Sequence, residues 1–264
     1  MSDKLPTSAE RIKALDRVVW IGYSRVKEIR DAMDSLLEYP RMHRMPNLAI
    51  IGATNNGKSM LLENFVKKHK TEDSPENVKT TLPVIRVQMA PEPDEGRLYD
   101  ILLTRLFSNQ SAREPVTSKL FRLQTLLTKL ETKQIILDEF NYAAVGTLSK
   151  QRKFLNALKY LSNELRISLV VAGTPETLSA LQADEQMANR FSPMYLPKWK
   201  EDAELLKLLV TLEKKIDLKN ESRLWDGKLP KFILSESEGT IGEINDLIVK
   251  LAKYAILTGG GAYY

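Results

Sequence analysis

The sequence predicts an α/β fold: a parallel five-stranded sheet flanked by helices, followed by a small C-terminal helical domain. Three observations carry this. Short strand-like runs lie at 47–51, 82–89, 133–140 and 167–174, apolar in the first and last, β-branched in the second and ending in two acids in the third, and a weaker fifth lies at 193–199. Continuous apolar strands are those covered on both faces, as in parallel sheets. The segments between them repeat apolar residues with a helical period, and from about residue 200 the pattern is helical only.

Each element has its own warrant. Residues 9–39 place Ile12, Leu15, Val18 and Val19, then Val26, Ile29, Met33, Leu36 and Leu37, at helical spacing. "WIGYSR" at 20–25 carries a glycine and predicts a turn between two helices. Two prolines in "YPRMHRMPN" at 39–47 end the helical region before the first strand. Met60, Leu61, Leu62, Phe65 and Val66 predict a helix from Gly57 to His69. Helical stretches near 95–107 and 116–131 follow the second strand. "SKQRKFLNALKYLSNEL" is amphipathic through Phe154, Leu155, Leu158 and Leu161. The division expected is an N-terminal helical segment 1–45, a core 46–199, and a helical domain with a flexible tail 200–264.

Composition excludes several chemistries. The 264 residues hold no cysteine and two histidines, His43 and His69, which removes disulfides, thiolate zinc sites, cysteine nucleophiles and histidine metal triads. The polar, acid-bearing N-terminus does not read as a secretory signal, and no apolar run reaches the roughly 18 residues a membrane span needs. A cytoplasmic protein without a membrane partner is expected. The net charge of +5 is a mild basic bias, compatible with ordinary solubility or with a basic surface for nucleic acid.

"LAIIGATNNGKS" at 48–59 carries the most information. Gly52, Ala53, Thr54, Asn55, Asn56, Gly57, Lys58 and Ser59 match G-x-x-x-x-G-K-[ST] in full, after an apolar strand and before a helical pattern that begins with Met60. Glycines permit backbone angles that aim N–H groups at phosphate oxygens, beside the positive end of a helix. Lys58 can reach the β- and γ-phosphates, and the Ser59 hydroxyl can ligate Mg²⁺. ATP with Mg²⁺ is the cofactor this loop predicts. "IILDEF" ends a strand in Asp138 and Glu139: the first can hold magnesium and the second can polarise an attacking water. Thr174, at the tip of "SLVVAG", can sense the γ-phosphate, or it is a plain turn residue before Pro175. Arg190 can project onto a neighbouring subunit's nucleotide as an arginine finger, or it is an ordinary salt-bridged arginine. The finger requires a homo-oligomer, because one chain cannot complete its own site.

Together these residues resemble the AAA+ ATPases, and within them the transposition regulators TniB and TnsC. "RMPNLAIIGATNNGKSMLLENF", "VVWIGYSRV", "FLNALKYLSNELRISLVVAGTPE", "NRFSPMYLPKW" and "SEGTIGEINDLI" carry the resemblance, colinearly over roughly 15–257. It implies a P-loop NTPase fold with a C-terminal lid, and an ATPase whose turnover is slow and stimulated by partners. It also implies assembly into rings or filaments on double-stranded DNA, linking a target site to a DDE transposase (TniA/TnsB-like) and a TniQ-like targeting protein. It makes Thr174 the first sensor, Arg190 the finger, and Trp20, Ile21 and Tyr23 the adenine pocket. DNA contacts are expected among Arg97, Arg105, Arg113, Thr117, Lys119 and Arg122. One departure stands out. "GTIGEIND" places Glu243 and Ile244 where many AAA+ lids carry a second sensor arginine. The alternatives are an IstB- or DnaC-like helicase loader or initiator, and a nucleotide-gated switch that binds protein alone.

Overall fold

A computed structural model describes residues 7–16, 20–70, 80–108, 114–216, 218 and 221–258. The predicted tail, Arg113, Val18 and Val19 lie outside the described residues. Two compact units emerge. The larger runs from Arg25 to Leu196 without residues 55–57, and the smaller gathers 55–57, the described residues up to Ser24 and those from Pro197 on. The N-terminal segment expected as one piece thus divides at Ser24.

The larger unit is built on five parallel strands: β1 (Asn47–Gly52), β2 (Val84–Gln88), β3 (Gln134–Asp138), β4 (Ser168–Gly173) and β5 (Phe191–Leu196). Their order is β2-β3-β4-β1-β5, with every neighbouring pair parallel. The reading by hydrophobic runs is borne out, with shorter ends: β2 begins after Pro83, which has no N–H to give a ladder. β1, β3 and β4 are buried at every residue, whereas the edge strand β5 buries only its ends. That is why 193–199 looks weak in sequence.

The helices of this unit are α2 (Ser24–Glu38), α3 (Lys58–Lys68), α4 (Glu95–Arg105), α5 (Val116–Lys129), α6 (Leu148–Leu165) and two short ones, α7 (Glu176–Gln182) and α8 (Glu185–Ala188). α3 buries Leu61, Leu62 and Phe65 completely. Each such side chain contributes about 1.5–3 kcal/mol of transfer free energy. This anchors the helix that opens with Lys58. α6 is capped by Thr147, whose hydroxyl accepts from Lys150 N–H, and it buries Phe154, Leu155, Leu158 and Leu161 as the amphipathic pattern predicts. A 3₁₀ turn at Phe140–Ala144 follows β3 and has no counterpart in the sequence pattern.

The smaller unit holds α1 (Ser8–Leu15), α9 (Ala203–Lys215), α10 (Leu229–Glu236) and α11 (Ile241–Leu257). Leu205, Leu208, Leu209 and Leu212 of α9 form one stripe that packs with Ile233, Ile244, Ile248 and Ala252. Asp202 caps α9, its carboxylate accepting from the N–H groups of Glu204 and Leu205 at 3.0 Å. Among the described residues no helix is long and apolar enough to cross a membrane.

Candidate nucleotide site

Parallel sheets bind ligands beyond the carboxyl ends of their strands. The strand order puts β1 next to β4, and β4 next to β3. Gly52 at the end of β1, Asp138 at the end of β3 and Gly173 at the end of β4 therefore finish on one side of the sheet. Residues far apart in sequence meet there because every strand runs in the same direction.

Lys58 is buried, 5% exposed, at the first position of α3. Its ammonium donates to the carbonyls of Gly52 at 2.9 Å and Ala53 at 2.7 Å. Burial pushes its pKa down, while the carboxylates of Glu139 and Asp138 push it up. A buried ammonium held by two weakly basic carbonyls, beside two acids, gains from an anion more than it loses in leaving those carbonyls. Ser59 is exposed one residue on.

Asp138 is 2% exposed. One carboxylate oxygen accepts from Glu139 N–H at 3.0 Å; the other accepts from Arg86 Nη2 at 2.7 Å. Glu139 itself stands in the left-handed region, φ +55°. A glutamate there is uncommon and strained, as residues at functional sites often are. The turn lets the chain leave β3 at once and enter the 3₁₀ segment.

Thr174 is half-buried, and its hydroxyl donates to the carboxylate of Glu176. Arg190 precedes β5 and donates from Nη1 to Asn163 Oδ1 at 2.7 Å. Burial and the nearby Arg44 disfavour its charge, and only Asp184 opposes them. Its Nε is buried without a partner.

The expected DNA-facing residues separate into two kinds. Arg97, Arg105 and Thr117 are exposed. Lys119 is buried and ion-paired to Asp100 at 2.7 Å, and Arg122 is paired to Glu114 at 2.6 Å.

In the helical unit, Ile21 belongs to the apolar core, and the Tyr23 ring packs on Trp199 with centroids 4.7 Å apart. Trp20 contributes its carbonyl to Lys215 Nζ at 2.8 Å. The loop tip groups here too. Asn55 Nδ2 donates to Glu243 Oε1 at 2.8 Å, Gly242 N–H donates to Asn55 O at 3.0 Å, and Asn56 Nδ2 donates to Pro197 O at 3.1 Å. A Cβ on Gly242 would collide with the side-chain amide of Asn55, so a larger residue there would displace that amide. Glu243 thus holds an asparagine of the glycine loop.

Magnesium fits this donor set. Among the described residues no group of three or more His, Asp or Glu could cage an ion alone. Mg²⁺ bound with a nucleotide needs only one or two protein oxygens, the rest coming from phosphate and water. Ser59 and Asp138 would supply them. The bound ion would neutralise phosphate charge; Lys58 and the loop N–H groups would fix its position.

Arg86 is a residue that the sequence reading missed. The signal was present: "VIRVQ" puts one guanidinium in the middle of an otherwise apolar strand, where it requires a buried partner.

A family model described as "Bacterial TniB protein" matches residues 11–201. The chain belongs to the TniB family. Structural likeness agrees with the AAA+ reading at the level of fold. The Aeropyrum pernix ORC1 protein, solved in complex with DNA, superposes with a TM-score of 0.62 at 17% identity, over 94% of this chain and 64% of that one. The A. pernix ORC2 protein, solved with ADPNP and ADP, gives 0.62 at 18%, over 96% and 68%. Cdc6p from Pyrobaculum aerophilum gives 0.62 at 14%, over 95% and 67%. The TniB-family chain thus spans about two thirds of the length of these proteins. No curated protein is similar to it in sequence at a significant level.

Proposed function

We propose that this TniB-family protein is an ATP-dependent adaptor that oligomerises on duplex DNA and links target-site choice to a DDE transposase. The observation that carries this is the buried Lys58 ammonium, held on the Gly52 and Ala53 carbonyls, beside Asp138 and Glu139 in a chain of this family. Gly52 to Met60 would receive the triphosphate, Ser59 and Asp138 the magnesium. Glu139 would take the proton of the attacking water, and Thr174 would turn from Glu176 toward the γ-phosphate. Arg190, hydrogen-bonded to a neutral amide and with burial and Arg44 disfavouring its charge against Asp184, suits a guanidinium that gains by meeting a neighbour's phosphate. Trp20, Ile21 and Tyr23 would border the adenine. Arg97, Arg105 and Thr117, exposed in α4 and α5, suit sequence-neutral phosphate contacts.

A TniQ-like protein and a TniA/TnsB-like transposase are the partners this role requires, in the bacterial cytoplasm. The deciding experiment is electron microscopy of the protein with duplex DNA and a slowly hydrolysed ATP analogue. A ring or spiral enclosing DNA is expected; a nucleotide-indifferent monomer rejects the proposal.

The likeness to ORC1 and Cdc6p favours one second reading, a loader or initiator that delivers another machine to DNA. Turnover stimulated by a helicase and not by a transposase is the result that selects it.

A further inference from the structure

The buried carboxylate of Asp138 is already occupied. Its two oxygens serve Glu139 N–H and Arg86 Nη2, and it has almost no exposure to water. A cation that arrives there meets a guanidinium already 2.7 Å from one of the two carboxylate oxygens. Two positive charges at one buried carboxylate repel each other, so a bound cation weakens the hold of Arg86 on it.

Arg86 is poorly satisfied where it is. One Nη donates to Asp138, but Nε is buried with no partner. The side chain also has somewhere to go. Arg86 lines an open groove of about 670 Å³ over the edge strand β2, walled by α3 and α4. Glu63 of α3 stands on the same wall, 55% exposed. Its carboxyl is held below the ordinary glutamate range chiefly by the ammonium of Lys67, with burial opposing and Arg86 adding a further downward pull. Arg86 therefore already feels a second carboxylate.

We propose that Arg86 is a displaceable counter-ion of the metal site: it holds Asp138 when no cation is present and swings across the groove toward Glu63 when Mg²⁺ binds. This rests on the reading of Asp138 as the magnesium aspartate. Arg86 acts here as a positioning residue, through the Asp138 carboxylate that it pairs. Its role is to keep a buried carboxylate paired in the empty site, at the expense of metal affinity. Glu63 lowers that expense by receiving the displaced guanidinium.

The test is a Mn²⁺ titration of the full chain in the presence of ADP, read by electron paramagnetic resonance, together with thermal denaturation at each Mn²⁺ concentration. Arg86→Gln removes the competitor. Its half-saturating Mn²⁺ is expected to fall by about 5–10-fold, in line with the loss of one nearby like charge. Its melting temperature should lie below wild type without metal and approach it as Mn²⁺ is added. Glu63→Gln removes the receiving carboxylate, and the half-saturating Mn²⁺ should rise by about 2–3-fold. Arg86→Lys keeps the charge and should titrate like wild type.

An Arg86→Gln midpoint equal to or above wild type overturns the proposal, as does a melting deficit that Mn²⁺ leaves unchanged. Should Arg86→Gln not fold, the exposed Glu63→Gln carries the test, and an unshifted midpoint there overturns it. If Asp138→Asn titrates as wild type does, the reading of Asp138 fails as well, which separates the two failures.

Discussion

The carboxyl end of the sheet and the outer face of α4 and α5 both carry basic residues, and they use them differently. At the sheet end, Lys58 is buried, bound to backbone carbonyls, and faces two acids that are themselves fixed by strand ends. On α4 and α5, Arg97 and Arg105 are exposed, whereas Lys119 and Arg122 are held by Asp100 and Glu114. In the first arrangement Lys58 and Asp138 are buried and bound to fixed partners, so removing either is costly. The second is a charged surface in which each residue acts almost independently. The contrast separates positions where one substitution is decisive from positions where several are needed.

The sharpest way to break this contrast is at Lys58. Lys58→Ala should lose about 10³-fold in kcat/KM for ATP, as expected for removing a buried charged donor from phosphate. It should also fail to assemble on DNA; steady-state ATPase assays and negative-stain microscopy read both. Next is Glu139→Gln, which should bind ATP normally by fluorescence titration yet turn over about 10²–10³-fold more slowly, the range for loss of a general base. Its DNA-bound assemblies should outlast those of wild type, and prompt release would reject Glu139 as the base.

On the surface the effects are smaller. Arg97→Ala with Arg105→Ala should weaken DNA binding roughly 2–10-fold and reduce the slope of log affinity against log salt by about 1 for every phosphate no longer neutralised. An unchanged slope puts the DNA elsewhere. Lys119→Ala should do the reverse. It leaves DNA affinity within about twofold of wild type and destabilises the fold by about 1–2 kcal/mol, between the values for exposed and buried ion pairs. Salt-dependent affinity and chemical denaturation separate the two cases.

The same contrast explains what could be read from the sequence. β1, β3 and β4 were legible because burial on both faces leaves an unbroken apolar run, β5 less so because it buries only its ends, and the glycine loop because its chemistry depends on local spacing. Asp138 and Glu139 were legible because they end such a run. Pairing was not legible. Nothing in "VTSKLFR" says that Lys119 turns inward to Asp100, since that depends on how α4 packs against α5. The opposite error occurred at Arg86, whose placement in an apolar strand was informative but whose partner lies 52 positions away. The left-handed backbone of Glu139 and the 3₁₀ turn after it have no local sequence signal, since neither glycine nor asparagine marks the position. The division of the N-terminal segment at Ser24 depends on Ile21 joining the core of the helical unit, and an apolar residue in a loop does not announce which core it will enter.

The lower end of β1 has a consequence for any assembly. Asn47 N–H donates to the carbonyl of Arg190 at 3.0 Å, and Asn47 is in register with Phe191. The arginine proposed to meet a neighbour is thereby bolted to the start of the strand whose far end would receive the chain's own phosphate. The 6 residues of that strand, at about 3.3 Å each, make a stiff strut of roughly 16–20 Å between giving and taking. Subunits that engage one another through these two points inherit their spacing from that strut, and a lengthened loop elsewhere cannot change it.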